Sequence, residues 1–236
     1  MDIDIKNLTK IYDKQTVLDI DALQIQKGEL IGLVGNNGAG KTTLLRLLTD
    51  LIAPNSGTIL SRGKHINKTE NWKFYTSSYI DTGFLIEFLT PEEYFNFIAT
   101  NYKISKIALE STFKQFSDFM NDEILGKRKY IRDFSLGNKQ KIGIIGAIIS
   151  KPEILFLDEP FNSLDPSSQI EMKNFLQKYN TEFGTTVLLS SHNIQYVADI
   201  CNRIIIIERG KIVRDEIGAT PAIREELEKY FENRAV

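Results

Sequence analysis

One cysteine occurs in 236 residues, so Cys201 cannot close an intramolecular disulfide. That excludes a disulfide-stapled fold and suits a reducing compartment. Long apolar runs are also missing. The longest nearly apolar stretch, Ile142 to Ile149, is far short of the roughly 20 residues a membrane-spanning helix needs. Work at a membrane therefore requires another chain for the membrane part. Neither sign of charge dominates: 29 Lys and Arg stand against 31 Asp and Glu, a net charge of −2. Nothing in that balance argues for broad electrostatic binding to nucleic acid. The first residues, Met1-Asp2-Ile3-Asp4-Ile5, are acidic and alternating, unlike a signal peptide. Internal repeats and low-complexity linkers are absent too. With 42% hydrophobic and 25% charged residues, the composition is that of an ordinary globular chain with ample core.

The most informative stretch is Gly35-Asn36-Asn37-Gly38-Ala39-Gly40-Lys41-Thr42-Thr43. It fits the phosphate-loop pattern G-x-x-x-x-G-K-[ST]. The apolar run Leu30-Ile31-Gly32-Leu33-Val34 precedes it and reads as a strand; Leu44-Leu45-Arg46-Leu47-Leu48 follows and reads as a helix. Strand, glycine-rich turn and helix are the context the motif requires. Glycines let several backbone N–H groups converge on one anion, and the helix start adds its positive end. Lys41 then reaches the β- and γ-phosphates, and the Thr42 hydroxyl ligates Mg²⁺.

The remaining pattern is that of an α/β chain with a mostly parallel sheet in its phosphate-loop core. Residues 2–8 and 15–26 alternate and read as strands of an N-terminal antiparallel β-subdomain, with Tyr12 between them. Tyr12 either stacks on a purine base or covers a sheet edge. Residues 53–57 form a turn, 58–60 a strand, 62–64 a hairpin turn, and 73–80 another strand. Residues 84–150 read as an inserted helical subdomain. Thr90-Pro91-Glu92-Glu93 starts its first helix with a capping box. The aromatics Tyr94, Phe95, Phe97, Phe113 and Phe116 read as its core, and Lys127, Arg128, Lys129 and Arg132 as a solvated face. The core resumes at 151–215, and Thr220-Pro221 opens a C-terminal amphipathic helix within 216–236.

Ile154-Leu155-Phe156-Leu157 reads as a buried parallel strand, ending in Asp158-Glu159-Pro160. Carboxylates at that end sit where open α/β sheets place ligands. Beside a phosphate loop they divide the work: Asp158 holds Mg²⁺, and Glu159 polarises the attacking water. A further buried strand, 185–189, ends in Ser190-Ser191-His192, from which His192 could reach a γ-phosphate.

In this order and spacing the chain resembles the nucleotide-binding subunit of ABC transporters, from near the N-terminus to about residue 215. Phe134-Ser135-Leu136-Gly137-Asn138 is similar to the LSGGQ signature, with Leu136 for the first glycine and Asn138 for the glutamine. The Ser-Leu-Gly form resembles type-2 export systems, including those for antibiotic and peptide efflux. Ser163-Leu164-Asp165 is similar to the D-loop, and His192 to the switch histidine. Tyr12 sits where the family has its base-stacking aromatic. The family's glutamine loop is represented by Asp81, an oxygen donor for Mg²⁺ that brings an added negative charge. The resemblance implies an ATPase that binds ATP and Mg²⁺ and works as a head-to-tail dimer, most simply a homodimer. Ser135 and Gly137 of one copy would contact the γ-phosphate held by the other. It implies a transmembrane permease partner, with the chain peripheral on the inner face of the cell membrane. Phe84, Leu85, Ile86 and Phe88 are then expected to line the permease groove, or else to be helical-subdomain core. The alternative is an ATPase of this fold without a membrane partner, such as one in iron–sulfur cluster assembly.

Overall fold

A computed structural model describes residues 1–218. Strands β1 (Ile3–Tyr12) and β2 (Gln15–Ile25) form an antiparallel hairpin. The strand β3 (Leu30–Val34) leads into helix α1 (Lys41–Leu48). Strands β4 (Ser56–Ser61) and β5 (Lys64–His65) join the hairpin to give a four-stranded sheet in the order β2-β1-β4-β5. After β6 (Thr76–Tyr79) come helices α2 (Pro91–Asn101), α3 (Lys106–Gln115), α4 (Ser117–Met120) and α5 (Leu136–Ile149). The chain continues as β7 (Ile154–Leu157), α6 (Pro166–Phe183), β8 (Thr186–Ser191), α7 (Ile194–Ala198), β9 (Arg203–Glu208) and β10 (Lys211–Ile217).

The second sheet has six strands in the order β10-β9-β3-β8-β7-β6. All pair in parallel except β10, which returns antiparallel on β9. Its inner strands β3, β7, β8 and β9 are buried on both faces, which explains their apolar runs, whereas the edge strand β10 alternates with solvent. Alternation sorts the side chains. Ile31, Leu33, Phe156, Leu188 and Ile205 share a buried cluster with α1 and the four-stranded sheet. Leu30, Val34, Leu155, Leu157 and Leu189 share the other with α5, α6 and α7. The sheet is thus clamped between a β-layer and a helical layer.

Phe95 and Phe116 of the helical segment belong to that second cluster and are fully buried, whereas Phe97 is exposed. Thr90 and Glu93 form the expected reciprocal capping box, with Pro91 at the first turn. Three local expectations are corrected. Tyr12 is the last residue of β1, because the turn is only Asp13-Lys14, both at positive φ. The strand expected over 73–80 begins at Thr76. Residues 71–74 form a 3-10 turn that buries Trp72 and lets its indole N–H donate to the Ile66 carbonyl at 2.9 Å. Leu85 is core rather than groove, while Phe84 and Phe88 are exposed. The C-terminal helix expected from Thr220 lies outside the described residues.

Candidate active site

Three neighbouring parallel strands deliver the site. The ends of β3, β8 and β7 lie side by side at one edge of the sheet, Val34 beside Ser191 and Leu157 beside Leu189. The phosphate loop follows β3, Ser190 to His192 end β8, and Asp158 and Glu159 follow β7. A ligand site at the carboxyl ends of such strands is what open α/β sheets build.

Gly40 caps α1 at φ 109, a backbone region that side-chain-bearing residues rarely enter. No side chain caps this helix, so its first N–H groups face the loop as anion donors. A cleft of about 320 Å³ is lined by Asn37, Gly38, Lys41, Thr42, Thr43 and Glu159, with Val17 on its wall. Lys41 is buried. Its ammonium donates to the Gly35 carbonyl at 2.6 Å and the Asn36 carbonyl at 3.3 Å, and lies 3.2 Å from Glu159 Oε1.

Asp158 is buried too. It accepts from Thr42 Oγ1 at 2.5 Å on one oxygen and from the Ser190 hydroxyl on the other. Burial pushes its carboxyl above the ordinary range, and the two hydroxyl donors oppose that shift. Thr42 and Asp158 together offer hard oxygen donors, the chemistry a small divalent cation takes. Such a cation would also offset the desolvation of the carboxylate. Among the described residues no three His, Cys, Asp or Glu side chains cluster as a ready-made metal cage. The donor set therefore fits a cation bound by one or two protein oxygens and completed by a phosphate-bearing ligand.

Glu159 has a left-handed backbone, φ 47, a conformation that costs energy for a non-glycine residue and recurs at functional sites. Its N–H donates to Ser190 Oγ at 2.8 Å, and its carbonyl accepts from Gln140 Nε2 at 3.2 Å. These bonds fix the turn and aim the carboxylate between Lys41 and His192. His192 Nδ1 lies 2.9 Å from Glu159 Oε2, and its backbone N–H donates to the same oxygen at 3.3 Å.

The structure thus brings Lys41, Thr42, Asp158, Glu159, His192 and the loop 35–43 together. Other expected residues stand apart. Tyr12 is 42% exposed under Lys10 Nζ, 5.0 Å from its ring centre, and does not line the cleft. Asp81 is paired with Arg46 at 3.2 Å and accepts from the Gly83 N–H at 2.7 Å. Among the described residues neither oxygen bonds Thr42 or Asp158, and Arg46 neutralises the added charge. Ser135 caps α5, accepting from the Asn138 N–H at 3.3 Å. A side chain at Gly137 would meet the Ser163 carbonyl at 2.5 Å, so the turn that opens α5 packs on the segment leading into α6.

Sequence reasoning missed Ser190, Gln140 and Val17. Ser190 had a signal: a fully buried hydroxyl closing the apolar strand Thr186-Val187-Leu188-Leu189 must find partners. Val17 and Gln140 had none, because they reach the site only through tertiary packing.

The sequence profile of the ABC transporter family matches residues 18–162, more than half of the chain. The bacitracin transport ATP-binding protein BcrA of Enterococcus faecalis is 36% identical over 228 residues, covering 90% of this chain and 68% of that protein. The lantibiotic transport ATP-binding protein SrtF of Streptococcus pyogenes is 33% identical over 234 residues, covering 98% of this chain and 96% of that protein. A solved ATP-binding subunit of an ABC transporter superposes with a TM-score of 0.83 at 27% identity, covering 97% of this chain and 94% of its own. The dimeric bacterial ABC transporter cassette MJ0796 superposes with a TM-score of 0.78 at 25% identity, covering 91% and 98%. With the phosphate loop, Asp158, Glu159 and His192 brought together at the strand ends, and on this match and these identities, the chain belongs to the ABC transporter family as an ATP-binding, ATP-hydrolysing subunit.

Proposed function

We propose that this chain binds ATP with Mg²⁺, hydrolyses it, and thereby drives export through a transmembrane permease. The observation that carries the reading is the Glu159 carboxylate held between Lys41 and His192 beside the Asp158–Thr42 oxygen pair. Lys41 and the loop N–H groups hold the β- and γ-phosphates. Thr42 and Asp158 hold Mg²⁺, which neutralises phosphate charge when bound. Glu159 takes a proton from the attacking water as its oxygen bonds to the γ-phosphorus. The bond to the bridging oxygen breaks, releasing ADP and phosphate. His192 keeps the carboxylate aimed.

The site becomes complete when a second copy presents its Ser135 and Gly137 to the γ-phosphate. ATP then joins the dimer and hydrolysis loosens it, a ligand-driven population shift. The chain acts as one ABC ATPase domain, with residues 84–150 as its helical subdomain, peripheral on the inner face of the cell membrane. The transport names of its relatives support a peptide-antibiotic cargo. The permease docks in a cavity of about 340 Å³ lined by Leu51, Trp72, Thr76, Ile80, Phe84 and Tyr102.

Tagged protein purified from native membranes in mild detergent is expected to bring a polytopic membrane protein in near-equal amount. Recovery only from the soluble fraction would overturn the transport reading and leave the ATPase untouched. Replacing Phe84 and Phe88 by Ser is expected to preserve folding and lose that partner.

A further inference from the structure

Glu87 sits between Phe84 and Phe88, which are 54% and 71% exposed. Its side chain reaches across to the first turn of α5, where Lys139 Nζ lies 2.7 Å from Glu87 Oε1. Lys139 is 13% exposed and Glu87 45%. The side chain is thus mostly covered, and among the described residues this carboxylate is the one ion partner of its ammonium. The backbones are tied as well. The Arg132 N–H donates to the Glu87 carbonyl at 3.1 Å, and the Ile131 N–H to the Leu89 carbonyl at 2.8 Å. Lys139 in turn donates its own N–H to the Ser135 carbonyl at 2.9 Å, the bond that closes the first turn of α5.

A continuous path of bonds therefore runs from the exposed aromatics through Glu87 and Lys139 to Ser135. We propose that the Glu87–Lys139 ion pair transmits displacement of residues 84–89 to the signature turn, making Glu87 a positioning residue for ATP-driven dimerisation. A partner that grips Phe84 and Phe88 moves Glu87. Lys139 follows, because separating the pair would strand its charge. The turn bearing Ser135 and Gly137 moves with it. The inference rests on the dimeric reading given above.

The test uses the full chain carrying Glu159→Gln, with ATP titrated and dimer measured by sedimentation. Adding Glu87→Gln is expected to raise the half-dimerising ATP concentration by roughly five-fold or more, the low end of coupling between sites. The charge swap Glu87→Lys with Lys139→Glu is expected to restore the parent value. The pair Glu87→Gln with Lys139→Met leaves no stranded cation, so it keeps the fold and is expected to retain the raised requirement. An unchanged requirement in either neutralised variant overturns the proposal while the dimer reading stands. A folded swap that stays defective does the same. A parent that never dimerises with ATP overturns both together.

Discussion

Lys41 Nζ lies 3.2 Å from Glu159 Oε1, so the cation proposed to receive phosphate and the carboxylate proposed as base neutralise each other. Both are shielded, at 6% and 20% side-chain exposure. A γ-phosphate competes for the same ammonium. Its arrival therefore releases one side of Glu159, while His192 still holds the other oxygen at 2.9 Å. On the proposed mechanism, the base would be freed by the substrate it acts on.

Glu159→Gln tests that relationship. The amide cannot take a proton from water, so turnover is expected to fall by about 10²–10⁴. ATP binding is expected to persist or tighten, since Lys41 loses its competing anion. Calorimetric ATP titration beside steady-state phosphate release separates the two. Normal hydrolysis in this variant would remove Glu159 from the role of base. Lys41→Ala, by contrast, is expected to lose ATP binding itself.

Ser190→Ala isolates the residue that ties the Asp158 carboxylate to the Glu159 backbone. The Ser190 hydroxyl donates to Asp158 and accepts from the Glu159 N–H. Its removal leaves a buried acceptor and a buried donor unpaired, a cost of about 1–3 kcal/mol. The turn at Glu159 also loses its anchor. Lower thermal stability and lower turnover with near-normal ATP affinity are expected. Full activity would mean that Gln140 alone fixes the turn.

What the sequence made legible was whatever sits at a strand end with a fixed local signature. The phosphate loop and the Asp158-Glu159 pair could be read because apolar runs announce β3 and β7, and the site lies just past them. His192 was readable for the same reason at the end of β8. Strand order was not readable, since pairing β3 with both β8 and β9 is a long-range choice made by packing. Nor was the partner of Asp81. Arg46 lies 35 residues earlier and faces it only after α1 docks. Leu85 and Phe88 look alike in sequence, but a 3-10 turn over Thr82–Phe84 sends one inward and leaves the other outside.

Asp158→Asn yields a pH-dependent outcome. Burial raises the Asp158 carboxyl, so the folded chain holds its proton more tightly than the unfolded chain does. Stability from this group is present below the ordinary carboxylate range near pH ~4 and falls as pH rises through the raised value. Above that window the loss is constant. In EDTA without nucleotide, Asp158→Asn is expected to be at least as stable as the parent at neutral pH. The difference should shrink toward acid. Mg²⁺-dependent turnover is expected to vanish. Thermal unfolding over a pH series checks the first part; an advantage that grows toward acid would contradict it.

Tyr79 offers a substitution that improves the fold without touching the chemistry. Its ring is packed against Gly143 of α5, and its hydroxyl is buried with no hydrogen-bond partner among the described residues. Desolvation pushes the phenol well above its usual range, the same penalty expressed as a titration. Removing an unpaired buried hydroxyl while keeping the ring avoids that cost. Tyr79→Phe is therefore expected to stabilise the chain by about 1 kcal/mol and leave ATP turnover unchanged. Gly143→Ala presses on the same contact from the other side. Its new methyl would overlap the Tyr79 ring, and the forced shift is expected to destabilise by about 1–3 kcal/mol. Denaturant melts of the two variants measure both effects. A destabilised Tyr79→Phe would mean that the hydroxyl has a partner in solution, such as a buried water, and that the contact with α5 is looser than the packing shows.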